Sequence, residues 1–323
     1  MSKHDAKSRQ HHRGKAVCEA SEIERLEASE KPAERSISTR IVTHPDMFQE
    51  RGVSWKFLPT RAEALARRRQ HIRLLHSARP PRKYPIDERT WTLQRRSMLD
   101  LARRLQACRR DHRCTSLACA MCRRTWARAQ FHGLVQAAEK MQRYWPAQKL
   151  AFGTVVPHGI CYPETRLNQL RAAGFQRQLH DALARADVTI TALIGVLEIS
   201  YEEVVGGTPY FQPHWHFLAM TDDPTELEVA LGSQFPCPDP ANSPVRVRDV
   251  YDLEGAASYL CKVVEKGHRW QGMRTQNLVR RVLPLTRQRE VLLWLDRHPP
   301  MEFLIEQNVG IDLVEFWDRE KWI

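Results

Sequence analysis

The chain has 323 residues, enough for one large domain or two smaller ones, and a formal net charge of +12. It contains no apolar run of the about 18 residues that a membrane span needs. The opening MSKHDAKSRQHHRGK has no apolar segment of signal-peptide type, so the expectation is a cytoplasmic protein with reduced thiols and no membrane partner. The charge is unevenly spread. Residues 51–150 hold 24 Lys+Arg against 6 Asp+Glu, and residues 201–250 hold 2 against 8. A basic block beside an acidic core predicts a nucleic-acid partner meeting a site that holds cations. No GxxxxGK phosphate loop is present, which argues against an ATP-driven motor.

In chain order, residues 1–45 are polar and charge-mixed and read as a disordered arm. Residues 46–146 form a basic helical region. Helical spacing runs over 61–75 and 91–105, with arginines on the polar side and the proline-rich ARPPRKYP between them. After Trp145 strands alternate with helices. LAFGTVV (150–156) predicts a buried strand, 164–186 an amphipathic helix and TALIGVLEIS (191–200) a second strand. A Gly206-Gly207 turn leads into the strand PHWHFLAM (213–220). A short helix over 224–231, a strand over 245–250 and a helix over 254–266 follow. Residues 269–323 read as a mostly helical C-terminal region. The order β-α-β-β-α-β-α over 147–268 predicts an α+β fold, a ferredoxin-like split βαβ palm with a central antiparallel sheet.

Cys108, Cys114, Cys119 and Cys122 stand in a C-x5-C-x4-C-x2-C spacing. Four thiolates this close suit tetrahedral Zn2+ and leave no open coordination position, so the zinc knuckle at 108–122 is predicted to be structural. His112 is an alternative ligand, chiefly to Cys108. Arg109, Arg110, Arg113, Arg123, Arg124 and Arg128 surround the knuckle and are predicted to bind DNA phosphates. Cys18, Cys161, Cys237 and Cys261 lack such spacing.

In a strand, His214 and His216 point to the same face, the opposite one to Trp215. Two same-face imidazoles suit either a metal ion or a hydrogen-bonded core pair. In the predicted helix after the last strand, Tyr259, Lys262 and Lys266 fall at i, i+3 and i+7 and share one face. Nearby cations favour a phenolate, which a phenol needs to act as nucleophile.

Taken together, these residues resemble the HUH single-strand DNA endonucleases, especially rolling-circle plasmid replication initiators with one catalytic tyrosine. The resemblance covers residues 148–268. FGTVVP at 152–157 resembles the family's F-x-T strand, His214-Trp215-His216 its His-hydrophobic-His and Tyr259-Leu260-Cys261-Lys262 its Tyr-x-x-Lys. What the resemblance implies is metal-dependent nicking and rejoining of single-stranded or hairpin origin DNA. Tyr259 would form a 5′-phosphotyrosine, and Lys262 would stabilise the charge at phosphorus. His214 and His216 would hold Mg2+ or Mn2+, with Lys266 as a further DNA contact and host replication proteins as partners. The family often adds a third polar ligand, for which Glu198 is the candidate. A strict Gly-Gly turn would pair Glu198 with Trp215, on the wrong face, and a one-residue slip would place it opposite a histidine. A transposase with the same chemistry, or a non-catalytic zinc-containing DNA-binding regulator, are the alternatives.

Overall fold

The structure is a computed structural model describing residues 59–80, 87–204, 208–237, 243–262, 266–270 and 278–309. The arm predicted over 1–45, with Cys18, lies outside the described residues. Helix α1 (Arg61–His76) starts at Thr60, whose hydroxyl accepts from the Glu63 amide while the Glu63 carboxylate accepts from the Thr60 amide at 2.7 Å. This reciprocal cap satisfies two of the donors that a helix start leaves open. Helix α2 (Glu88–Ala107) is capped by Asp87 and buries Met98, Leu101, Ala102 and Leu105, one stripe at helical spacing. Helix α3 (Ala120–Tyr144) begins directly at Cys119. The predicted helices over 61–75 and 91–105 therefore sit inside α1 and α2.

Strand β1 (Lys149–Val155) and the short β2 (Tyr162–Pro163) follow, then a 3-10 turn (Leu167–Gln169) and helix α4 (Ala172–Arg185). The single helix expected over 164–186 is thus broken: Thr165 has φ 75° and Leu170 and Arg171 are extended. Strands β3 (Ile190–Val204) and β4 (Tyr210–Thr221) lead to helix α5 (Pro224–Gln234), strand β5 (Val245–Asp249) and helix α6 (Leu253–Leu260). Strands β6 (Lys266–Trp270) and β7 (Leu278–Val282), helix α7 (Leu285–Arg297), a 3-10 turn (Pro300–Phe303) and strand β8 (Leu304–Gln307) complete the described chain. The fold is α+β around an eight-stranded sheet of order β5-β1-β4-β3-β6-β7, with β2 paired to β4 and β8 to β3. All pairs are antiparallel except β3 with β6.

Two expectations are corrected here. The helix predicted over 254–266 stops at Leu260, where the Cys261 amide turns back to the Ser258 and Tyr259 carbonyls. Lys266 consequently lies in β6 opposite Val282, not on the face of the tyrosine helix. The region after residue 268 contains strands as well as helix. The edge of β3 accepts Gly267–Trp270 along Tyr201–Val204 and Leu304–Gln307 along Leu193–Val196. Open edge donors and acceptors outweigh local helix propensity there.

One sheet face is closed by α4 and the end of α5: Trp215 stacks on Phe175 with ring centroids 3.9 Å apart and meets Phe235 at 5.7 Å. Phe217, on the same face, has Gly153 and Gly195 as its cross-strand neighbours. A Cβ at Gly153 would fall 2.1 Å from the Phe217 ring, and one at Gly195 would lie 2.6 Å from the His216 carbonyl oxygen. Glycine on both flanking strands is what lets a phenylalanine fill the middle of β4. Helix α7 is tied down by Arg287, whose guanidinium meets Glu164 at 3.0 Å and Glu290 at 2.8 Å, and Glu290 accepts from the Thr165 and Leu167 amides. No described helix is long and apolar enough to cross a membrane.

Candidate metal centres and the tyrosine facing one of them

The sheet face opposite Trp215 carries His214 and His216 on β4, Glu198 on β3 and Thr154 on β1. The register pairs Glu198 with His214 and Thr154 with His216. That is the one-residue displacement from a strict Gly-Gly turn that puts Glu198 on the histidine face. Glu198 Oε2 lies 3.1 Å from His216 Nε2 and 3.8 Å from His214 Nε2. Two ligands about 2.1 Å from an octahedral cation stand about 3 Å apart, so these spacings suit one small divalent ion.

The second contacts of each imidazole orient it. His214 Nδ1 lies 3.2 Å from the Gln212 carbonyl oxygen, which can only accept, so Nδ1 carries the proton and Nε2 of the neutral ring offers a lone pair. His216 Nδ1 lies 2.8 Å from Thr154 Oγ1. His216 Nε2 is buried and faces the Glu198 carboxylate across that 3.1 Å. Ligand atoms of Glu198, His214 and His216 all lie within 4.8 Å of one another, so the group could hold a metal ion. Burial pushes His216 down to about 4, with Glu198 opposing and the His214 and Lys262 charges assisting, so it is neutral at pH 7. Burial also acts to lower His214, but the Glu198 carboxylate outweighs it and raises that ring above its ordinary value. Burial acts to raise Glu198, and the contacts with both histidines overcome it and hold the carboxyl well below the usual range.

Tyr259 projects from α6 onto the same face. Its ring stands edge-on to His216 with centroids 4.9 Å apart and edge-on to Phe152 at 5.6 Å. Lys262 Nζ sits 3.0 Å from the Tyr259 ring centroid, close enough for a strong cation–π contact. Helix α3 supports α6 from behind, where buried Gln130 donates to the Leu260 carbonyl at 3.5 Å. A cavity of about 370 Å3 opens beside the tyrosine, lined in part by Phe152, Arg248, Tyr251, Gly255 and Tyr259. Tyr251 lies before α6 and is 92% exposed.

The four cysteines also converge. Cys108 Sγ lies 3.5 Å from Cys122 and 3.8 Å from Cys119, and Cys114 lies 3.6 Å from Cys122. Tetrahedral zinc with sulfurs at 2.3 Å requires sulfur separations of about 3.8 Å, so the cluster has the right size. His112 is exposed and is not among the grouped residues. Thiol hydrogen bonds from Cys114, Cys119 and Cys122 pull the Cys108 sulfur far down toward thiolate. Helix α1 braces the loop, with His71 Nδ1 3.1 Å from the Ala118 carbonyl.

The arginines around this loop are not alike. Arg109 and Arg110 are exposed, and Arg113 and Arg128 are half-buried. Arg124 donates to the Pro59 carbonyl at 2.8 Å. Arg123 is only 7% exposed, in contrast to the open placement of Arg109 and Arg110. Sequence reasoning misses Thr154 and Gln212 as supports for the histidines. The signal for Thr154 is its place in FGTVVP, but its partner depends on strand register, which no spacing shows. Compared with protein-family models, curated proteins and solved structures, the chain matches none.

Proposed function

We propose that the chain is a metal-dependent single-strand DNA nickase and strand transferase of the HUH type, acting as a rolling-circle replication initiator. The observation that carries this reading is the juxtaposition of Glu198, His214 and His216 with a tyrosine ring 4.9 Å from His216 on the helix above. The unit β1-α4-β3-β4-α5-β5, with sheet order β5-β1-β4-β3, supports a ferredoxin-like palm. One carboxylate and two imidazoles could hold a divalent ion, for which the resemblance implies Mg2+ or Mn2+, and four thiolates suit Zn2+.

In this reading the palm presents a backbone phosphodiester of single-stranded DNA to Tyr259. When bound at Glu198, His214 and His216, the divalent ion supplies Lewis-acid polarisation of a phosphate oxygen. Tyr259 loses its proton to solvent and its oxygen attacks phosphorus. The P–O3′ bond breaks, the 3′ oxygen takes up a proton, and the 5′ phosphate of the downstream fragment stays on the tyrosine. Attack by a 3′-hydroxyl on the phosphotyrosine reverses the step and rejoins the strand. Lys262, held against the Tyr259 ring, favours the phenolate and offsets charge that develops at phosphorus. Phe152 and Thr154 fix the orientation of Tyr259 and His216. Exposed arginines of the basic block hold the strand through its phosphates.

The test uses end-labelled single-stranded oligonucleotides tiled across the DNA that flanks the coding region, incubated with the protein and Mn2+. The expected result is a product with a 3′-hydroxyl that a polymerase extends, and protein bound covalently to the other fragment. Intact oligonucleotides throughout, with metal bound and the protein folded, would overturn the reading.

A further inference from the structure

Arg246 and Arg248 are the only Lys or Arg in residues 201–250, a stretch with eight Asp and Glu. Both stand on β5, whose alternation buries Val245 and Val247 on one face and leaves the two arginines exposed on the other. Register fixes which face that is. Arg246 lies opposite Thr154, the partner of His216, and Arg248 lies opposite Phe152. The Arg248 guanidinium sits over the Phe152 ring at 5.7 Å, and Tyr259 packs edge-on against the same ring. Phe152 thus sets Arg248 beside the tyrosine. Arg246 reaches the Glu228 carboxylate at 3.8 Å, whereas Arg248 makes no hydrogen bond or ion pair with any described residue.

The cavity of about 370 Å3 beside Tyr259 has Phe152 and Arg248 on its sheet side, and Asp249, Tyr251 and Asp252 where β5 runs into α6. Tyr251 is 92% exposed, so its ring is uncovered, and only its hydroxyl is engaged, by Asp249 at 3.4 Å. Asp252 caps α6 through the Gly255 amide at 2.8 Å. Because Tyr259 is part of the wall, a strand that brings a phosphodiester to it runs on through this space. The lining sorts the parts of that strand. The unpaired guanidinium takes a phosphate. Asp249 and Asp252 repel a second one, and the open ring of Tyr251 offers its face to a base. A polyphosphate or an acidic peptide would meet those carboxylates, and a basic peptide would meet Arg248. A base within a duplex has both faces covered by its neighbours, so only an unpaired strand can use the ring.

We propose that this cavity holds the nucleotide next to the scissile phosphate, its base stacked on Tyr251 and its far phosphate on Arg248, and that this contact restricts the site to single-stranded DNA. The proposal rests on the reading of the chain as a single-strand nickase and names the residues by which that site takes its substrate.

The experiment uses the full chain and the tiled single-stranded oligonucleotides, now carrying 5-iodouracil at each position in turn, photolysed without divalent metal and mapped by mass spectrometry. The base beside the phosphate that is cut when Mn2+ is added should cross-link to Tyr251. Tyr251→Ala should weaken single-strand binding about tenfold and leave duplex binding as it was. Tyr251→Phe keeps the ring and should restore the single-strand affinity. Arg248→Gln, a change at an exposed side chain, should lower the Tyr251 cross-link and reduce the slope of log K against log salt by about 0.7, with the melting temperature unchanged. Cross-links mapping only to other residues, or equal loss of single-strand and duplex binding in Tyr251→Ala, would overturn the proposal. A Tyr251 cross-link without any Tyr259 adduct in Mn2+ would keep the base site and refute nicking. A Tyr259 adduct without a Tyr251 cross-link would keep nicking and overturn the base site.

Discussion

The four cysteines come from a single run of fifteen residues and close on one another, whereas Glu198, His214 and His216 come from two strands and face a tyrosine. Four thiolates around one zinc leave it no vacant position. Two imidazoles and a carboxylate would fill three positions of a six-coordinate ion and would leave the rest for substrate or water. Their supports differ in the same sense. The cysteine loop is held by neighbouring helices, with His71 on the Ala118 carbonyl and α3 starting at Cys119. The histidines are oriented atom by atom, through Thr154 and the Gln212 carbonyl. A closed cluster is suited to holding the chain together, and an open one with oriented ligands is suited to the proposed chemistry.

Tyr259→Phe should break this contrast most completely if it is wrong. The change removes one oxygen and keeps the ring against His216 and Phe152, so melting temperature and DNA affinity should hold. Cleavage and the covalent adduct should both fall to background, while Tyr251→Phe keeps both. A Tyr259→Phe protein that still forms the adduct would move the nucleophile elsewhere. Cys122→Ser tests the other side. Loss of a structural zinc should cost more than about 4 kcal/mol, seen as a lowered melting temperature together with loss of bound zinc. Because Cys122 stands at the start of α3, whose Gln130 touches the Leu260 carbonyl, activity should fall along with stability. Unchanged stability with zinc absent would mean the cluster does not hold the fold.

The same contrast explains what can be read in advance. Cysteine spacing is local, and all four expected ligands converge. The same-face placement of His214 and His216 follows from the period of two in a strand. Glu198 is undecidable from sequence, because its face depends on a single residue of hairpin register that the Gly-Gly pair does not fix; the register adopted sets it opposite His214. Lys266 is misplaced by sequence because CKVVEK carries no breaker, and only the open edge of β3 explains why the chain turns to strand there. The burial of Arg123 is not legible either, because helical arginines read alike in sequence whichever way they face.

Thr154→Val sharpens the comparison at the level of one hydrogen bond. It removes the partner of His216 Nδ1 while keeping shape and β propensity. Mn2+ affinity at the open site should fall about 10- to 100-fold, with zinc content unchanged. Equal affinity would mean Phe152 and Tyr259 alone orient the ring. The open site should also respond to pH in a defined direction. The Glu198 carboxylate raises His214, so in the metal-free protein that ring holds its proton to a pH above its ordinary 6.5. The protonated pair stabilises the metal-free protein below that pH, and the benefit is lost as pH rises through the raised value. Metal must displace this proton. Mn2+ affinity should therefore be flat above the raised value and fall about tenfold per unit below it. His216, already down at about 4, adds nothing to this slope near neutrality. Calorimetric titrations across that range check the sign, and affinity that rose on acidification would contradict it.

The smallest expected effect concerns the basic surface around the closed cluster, where position decides what each arginine does. Arg109 and Arg110 are exposed beside Cys108, while Arg123 is buried one residue after Cys122. If exposed guanidinium groups hold the strand, taking one of them off its phosphate should reduce the slope of log K against log salt by about 0.7 for single-stranded DNA. Arg109→Ala with Arg110→Ala should thus flatten the slope by up to about twice that, weaken binding similarly for every sequence, and leave stability within about 0.5 kcal/mol. Arg123→Ala should do the reverse, keeping the slope and lowering the melting temperature, because the residue is almost wholly buried. Both variants remove positive charge from the same neighbourhood, so a general electrostatic effect would move both slopes together. Only direct phosphate binding at Arg109 and Arg110, with a packing role at Arg123, separates slope from stability in this way. An unchanged slope in the double variant would place the DNA on another face of the molecule.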